Sequence, residues 1–61
     1  MNEIKPNAVY NTEQVALLLN LSVITVQKYI RTRKIKAKRA GKAYKVLGEW
    51  VLEYIKTLPN A

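Results

Sequence analysis

The 61-residue chain has no cysteine and no histidine, and only two glycines, two prolines and four acidic residues. Without cysteine or histidine it has neither disulfide staples nor the usual ligands of a zinc site. With two separated glycines it cannot build a glycine-rich phosphate loop, and no serine sits in a nucleophile-elbow setting. Its longest apolar run, Val15-Ala16-Leu17-Leu18-Leu19, is far short of a membrane span. The N-terminus lacks the charged-then-apolar layout of a signal peptide, so a cytoplasmic location is expected. A chain of this length buries only about 60% of the surface its unfolded form exposes. Apolar packing must therefore hold the fold, and a 49% hydrophobic composition makes that feasible.

Acid is scarce where base is dense. Eleven Lys and Arg against four Asp and Glu give a formal charge of +7. Nine of the eleven (Lys28, Arg31, Arg33, Lys34, Lys36, Lys38, Arg39, Lys42 and Lys45) fall within residues 28–45 with no acid among them. Such a block favours a polyanionic partner over a merely solvated face. Of the carboxylates, only Glu49 and Glu53 share a helical face, where they could ligate a metal or act as an acid/base couple. Lying opposite the Val51/Ile55 stripe, they read better as solvent-facing charges. The expectation is no catalytic group, no metal, no cofactor and no small-molecule substrate.

The chain divides into an arm (residues 1–8) expected to be loosely held, a folded domain (9–58) and a terminal stretch (59–61) that closes it. The first helix is expected from about Thr12 to Leu19. Asn11 and Gln14 have capping-box spacing, Glu13 complements the helix dipole, and Val15, Leu18 and Leu19 form the apolar stripe with Ala16 beside it. Asn20 suits the left-handed position that ends a helix. Ser22 is a strong N-cap for a second helix, from Val23 to about Thr32. There Val26, Tyr29 and Ile30 face inward, while Ile24, Gln27, Lys28 and Arg31 face outward. Two helices joined by about three residues cross steeply, as in a helix-turn-helix.

From Ile35 to Val46 the period becomes two, placing Ile35, Ala37, Tyr44 and Val46 inward and Lys36, Lys38 and Lys45 outward. Gly41 supplies the positive φ of a hairpin turn. A last helix, from about Glu49 to Leu58, turns Val51, Tyr54, Ile55 and Leu58 inward, with Gly48 a weak N-cap. The fold class is thus mainly α with a small β-hairpin, in the order helix-helix-hairpin-helix. Tyr29, Tyr44 and Tyr54 lie on core-facing positions, which favours packing over the base stacking of single-strand binders.

The segment from Val9 to Ser22 resembles the opening of excisionase-type, MerR-like DNA-binding domains. The likeness continues through Thr25-Val26, Tyr29-Ile30-Arg31 and Lys34-Ile35. It takes in Arg39-Ala40-Gly41-Lys42-Ala43-Tyr44-Lys45-Val46 as a wing, and closes on Trp50-Val51-Leu52-Glu53-Tyr54-Ile55. Two positions depart from the pattern: Asn20 replaces a turn glycine, and Leu47-Gly48-Glu49 replaces the proline or serine before the last helix. The resemblance implies a winged helix-turn-helix with the second helix in a major groove and the wing on an adjacent minor groove or backbone. DNA-contacting residues would be Ser22, Val23, Ile24, Thr25, Gln27, Lys28, Arg31 and Arg33 on the helix, and Lys36, Lys38, Arg39, Gly41, Lys42 and Lys45 on the wing.

Ser22 and the first backbone N–H groups of that helix can hold a phosphate. Gln27 can pair with adenine, and Val23 or Ile24 can touch a thymine methyl. Arg31 and Arg33 suit phosphates. Arg39 either contacts DNA or ties the wing to the helices. The implied role is that of an excisionase-like directionality factor of a phage or integrative element, binding and bending double-stranded DNA with an integrase and further copies of itself. Trp50 and Leu52, taken as exposed, are candidates for those protein contacts, with core packing the competing reading of Trp50. A small transcriptional regulator of the same fold is the alternative, and a basic module docking an acidic protein is a third reading.

Overall fold

The computed structural model describes residues 3–60. Asn11 opens α1 (Thr12–Leu19) through a reciprocal capping box: its side-chain oxygen accepts from the Gln14 N–H at 2.8 Å, and its own N–H donates to Gln14 Oε1 at 2.9 Å. The helix closes on Asn20 at φ 57°, ψ 45°. The Leu21 N–H then reaches back to the Ala16 carbonyl at 2.9 Å, which satisfies an acceptor the helix would leave open. Ser22 starts α2 (Val23–Arg31) as expected, its hydroxyl oxygen accepting from the Thr25 N–H.

The end of α2 is less ordinary. The Lys34 N–H donates to the Tyr29 carbonyl at 2.8 Å and the Arg33 N–H to the Ile30 carbonyl at 3.2 Å, the paired bonds of a Schellman closure. Arg33 occupies its left-handed position at φ 65°, where glycine is the usual residue. The reversal turns the chain so that Ile30 and Ile35, five residues apart, both reach the core.

The sheet holds one strand more than the expected hairpin. In it β1 (Val9–Tyr10), β2 (Lys38–Ala40) and β3 (Ala43–Leu47) pair antiparallel in the order β1-β3-β2. Tyr10 lies opposite Val46, and Arg39 opposite Tyr44. Residues 35–37, expected as strand, form an irregular approach that nevertheless buries Ile35. Gly41, at φ 64°, is the first of two turn residues, and no positive φ falls on Lys42, the pattern of a II′ hairpin.

The helix α3 (Gly48–Lys56) follows β3 without a break, and no side chain caps it. Its first N–H groups go instead to the preceding segment: Gly48 donates to the Ala8 carbonyl at 2.9 Å and Glu49 to the Pro6 carbonyl at 3.1 Å. The expected capping role of Gly48 is thereby corrected. Gly48 is buried as the first helical residue, and a Cβ there would overlap the Lys5 carbonyl. The expectation of a loose arm is corrected for the same reason. Ile4 packs on the core, the Lys5 N–H donates to the Tyr10 hydroxyl at 3.0 Å, and residues 5–8 close the end of α3. Met1, Asn2 and Ala61 lie outside the described residues.

One thin core collects Val15 and Ala16 from α1, Val26 and Ile30 from α2, Ile35 from the approach to β2, Val46 from β3 and Val51 from α3. Tyr54 marks the covered part of α3, its ring centroid 5.9 Å from that of Tyr29, and the residues that follow it are exposed. Ile55 and Leu58 are among them (38% and 48% exposed), not inward-facing as the periodicity suggests. No helix among the described residues is long and apolar enough to cross a membrane.

Candidate nucleic-acid interface

The outer face of α2 carries Ile24, Gln27, Lys28 and Arg31 at i, i+3, i+4 and i+7, neighbours on one helical stripe. Ile24 is 76% exposed, Lys28 and Arg31 are exposed, and Gln27 is half-buried. The other expected contacts on this helix are less free. Val23 is half-buried and packs against the core. Ser22 donates its hydroxyl proton to Thr25 Oγ1 at 2.8 Å, so its oxygen is committed to the cap and its proton to a neighbour. The Thr25 hydroxyl proton remains available from that pair.

At the far end of α2, the Thr32 hydroxyl donates to the Lys28 carbonyl at 3.0 Å, and the Lys34 ammonium lies 5.0 Å from the Tyr29 ring centroid. Lys34 is thus engaged on the Tyr29 side, a cation–π contact across the closure. Arg33, one residue earlier, is exposed.

On the wing, Lys38 and Lys45 stand directly opposite each other across the β2–β3 ladder, both exposed. Like charges so placed destabilise a hairpin, and a bound anion relieves the repulsion. Arg39 points to the other side. Its Nε donates to the Gly41 carbonyl at 3.2 Å and its guanidinium lies 5.7 Å from the Tyr44 ring centroid. Those contacts brace the wing internally, so the expected alternative of a tie to the helices is not what this side chain makes. Lys42 is exposed in the turn beside Gly41.

An open cleft of about 540 Å³ joins the two elements. Its basic walls are Arg31 and Arg33 on the α2 side, with Lys36, Lys38 and Arg39 leading into the wing. Its apolar lining comes from Ile30, Ile35, Ala37, Tyr44 and Trp50. No acid lines it. The one ion pair among the described residues, Lys36 Nζ to Glu53 Oε1 at 3.5 Å, lies at its edge and is largely exposed. Trp50 and Leu52 are both half-buried, which corrects the expectation that they form an exposed protein-contact patch. Trp50 is set against the Arg33–Lys38 stretch because α3 begins immediately after β3. The sequence offers no periodic signal for that placement.

The Tyr54 phenol has its pKa raised above the ordinary value, chiefly by desolvation and secondarily by the neighbouring Tyr29. It lies away from the outer stripe of α2 and serves packing.

Two crossed helices followed by a basic hairpin and a closing helix define a winged helix-turn-helix, a DNA-binding class. The chain belongs to the helix-turn-helix domain family, whose family model covers residues 9–58. Over 53 residues, 87% of the chain, it is 36% identical to the magnetosome protein MamR of Magnetospirillum gryphiswaldense. It is 34% identical over the same length to MamR of Paramagnetospirillum magneticum. The chain spans 63% of the length of these relatives. No solved structure matches it.

Proposed function

We propose that the protein binds double-stranded DNA in a sequence-directed way, with the Ile24/Gln27/Lys28/Arg31 face of α2 in a major groove and the Lys38–Lys45 wing on the flanking backbone. The observation that carries this reading is the cleft, with no acid among its described lining residues, that runs from Arg31 at the end of that face to Lys38 and Arg39 on the wing. Gln27 and Ile24 read base edges; Lys28, Arg31, Arg33, Lys38, Lys42 and Lys45 fix the register on phosphates. These six bases, converging on four or five phosphates, give a log–log salt slope of about −4. A slope near zero overturns the electrostatic account and favours an acidic protein partner. Gln27→Ala is expected to weaken a cognate site far more than random DNA, whereas Lys42→Ala weakens both alike and flattens the slope. Equal losses for Gln27→Ala on both DNAs remove it from the base-reading set.

Within that activity the role is that of an excisionase-like directionality factor, supported by the resemblance along residues 9–58. A single basic surface meeting two grooves gains contacts if the duplex curves toward it, for a few kcal/mol of bending. One such domain buries roughly 600–1,000 Å² on DNA, so further copies on adjacent sites and an integrase supply the remaining specificity. A small transcriptional regulator is the second reading, favoured by the likeness to proteins named for the magnetosome and not for recombination. Gel mobility of circularly permuted sites, with an excision assay using the element's integrase, separates them: bending with stimulated excision supports the first, and promoter occupancy without either supports the second.

A further inference from the structure

Trp50 is the only tryptophan of the chain. The DNA-binding reading above leaves it unused, yet with Arg33 and Lys36 it forms the partition between two clefts. The larger, of about 540 Å³, opens toward α2 and the wing; the smaller, of about 160 Å³, holds Glu53. The two differ in charge. The smaller sets the Glu53 carboxylate among Arg33, Lys34 and Lys36, while the larger has five bases and no acid among the described residues.

Its size falls within the roughly 300–1,000 Å³ of sites that enclose small ligands, more room than a lone phosphate needs. Cationic walls over an apolar, aromatic floor match a sugar–phosphate strand, whose charge lies on its phosphates and whose deoxyribose faces are apolar. We infer that the DNA strand passing from α2 to the wing lies in this cleft, with a deoxyribose against the Trp50 indole and its flanking phosphates on Arg33 and Lys38. This rests on the DNA-binding reading and names the groove and the contact within it. A contact to sugar positions the duplex without reading its sequence.

The lone indole is its own reporter. Acrylamide quenching of Trp50 emission is measured for the full chain alone, with saturating duplex of unrelated sequence, and with inorganic phosphate at matched ionic strength. Quenching that falls severalfold with duplex and stays unchanged with phosphate supports the inference. Duplex binding seen by mobility shift with quenching unchanged overturns it and leaves the DNA-binding reading standing. Equal protection by phosphate makes the cleft a simple anion site and also overturns it. Protection that rises with protein concentration in the absence of DNA overturns it in favour of a contact between copies. No duplex binding at all refutes both readings.

As a second measurement, Trp50→Leu keeps an apolar side chain and removes the ring. It is expected to lower affinity a few-fold, through the apolar area that the ring covers on the sugar. The loss should be the same for every duplex sequence. Unchanged affinity in a variant that melts like the parent overturns the contact.

Discussion

Replacing Arg33 by glycine should make the protein more stable and a weaker DNA binder. Arg33 holds φ 65° in the closure of α2. A left-handed L-residue costs roughly 1–2 kcal/mol, which glycine escapes. Glycine's greater freedom in the unfolded chain returns about 0.5–1 kcal/mol of that. The net expectation for Arg33→Gly is therefore about 0.5–1 kcal/mol of added stability, or roughly 3–6 °C in Tm for a domain of this size. The guanidinium is lost at the same time. Removing one phosphate contact reduces the salt slope by about 0.9, which at 0.15 M salt corresponds to about fivefold in affinity. Arg33→Ala is the control, since it removes the charge and keeps the left-handed side chain. It should show the same affinity loss with no gain in Tm. Thermal melting by circular dichroism and anisotropy titrations over a salt series measure both quantities. If Arg33→Gly melts at or below the parent temperature, the strain argument is refuted. If both variants bind DNA like the parent, Arg33 makes no phosphate contact.

Three further outcomes follow from other parts of the molecule. Glu53→Gln removes the partner of Lys36 and the one carboxylate at the cleft edge, so affinity should rise and the salt slope steepen; fluorescence anisotropy at low and high salt checks it, with the gain largest at low salt. Gly48→Ala places a methyl on the Lys5 backbone and should destabilise by more than 2 kcal/mol, read as a lower urea midpoint together with faster amide exchange at residues 5–8. Because the Tyr54 pKa is raised in the folded state, its contribution is fully present below the ordinary phenol value near 10 and is lost as pH rises through the raised value. Urea melts between pH 9 and 11 should show a loss of stability that is smaller in Tyr54→Phe.

What the sequence discloses here is what is local. The boundaries of α1 and the start of α2 follow from Asn11, Gln14 and Ser22, each within three residues of the groups it satisfies. Asn20 falls where an αL-tolerant side chain is wanted. The hairpin turn follows from a single glycine. The third strand does not, because two residues, Val9 and Tyr10, carry no period and their partners lie near residue 46. The capping of α3 is hidden for the same reason: its donors are satisfied by carbonyls some forty residues away in the chain, leaving Leu47-Gly48 to look like a poor helix start. The left-handed Arg33 has no compositional marker. A signal existed nonetheless, since two buried isoleucines at 30 and 35 demand a reversal between them.

The candidate surface divides along the same line. Its charge is legible because no acid intervenes between Lys28 and Lys45, whereas its shape is not, because the cleft is made where residues 30–39 meet Tyr44 and Trp50. The irregularities of the fold also sort by location. Away from the basic face, the missing cap of α3 and the buried Gly48 are matched by the Pro6 and Ala8 carbonyls and by the close-lying Lys5 backbone. On the basic face two irregularities remain. Arg33 keeps a backbone conformation suited to glycine, and Lys38 faces Lys45 across the ladder with no carboxylate between them. The closure at Arg33 has a folding reason, since it brings Ile30 and Ile35 to the core, but the Lys38–Lys45 pair has none, and a local rule broken without compensation marks a functional surface. On the proposed DNA-binding reading, a polyanion supplies counter-charge to the Lys38–Lys45 pair and to the Arg33 guanidinium, while the backbone strain at Arg33 persists in the bound state.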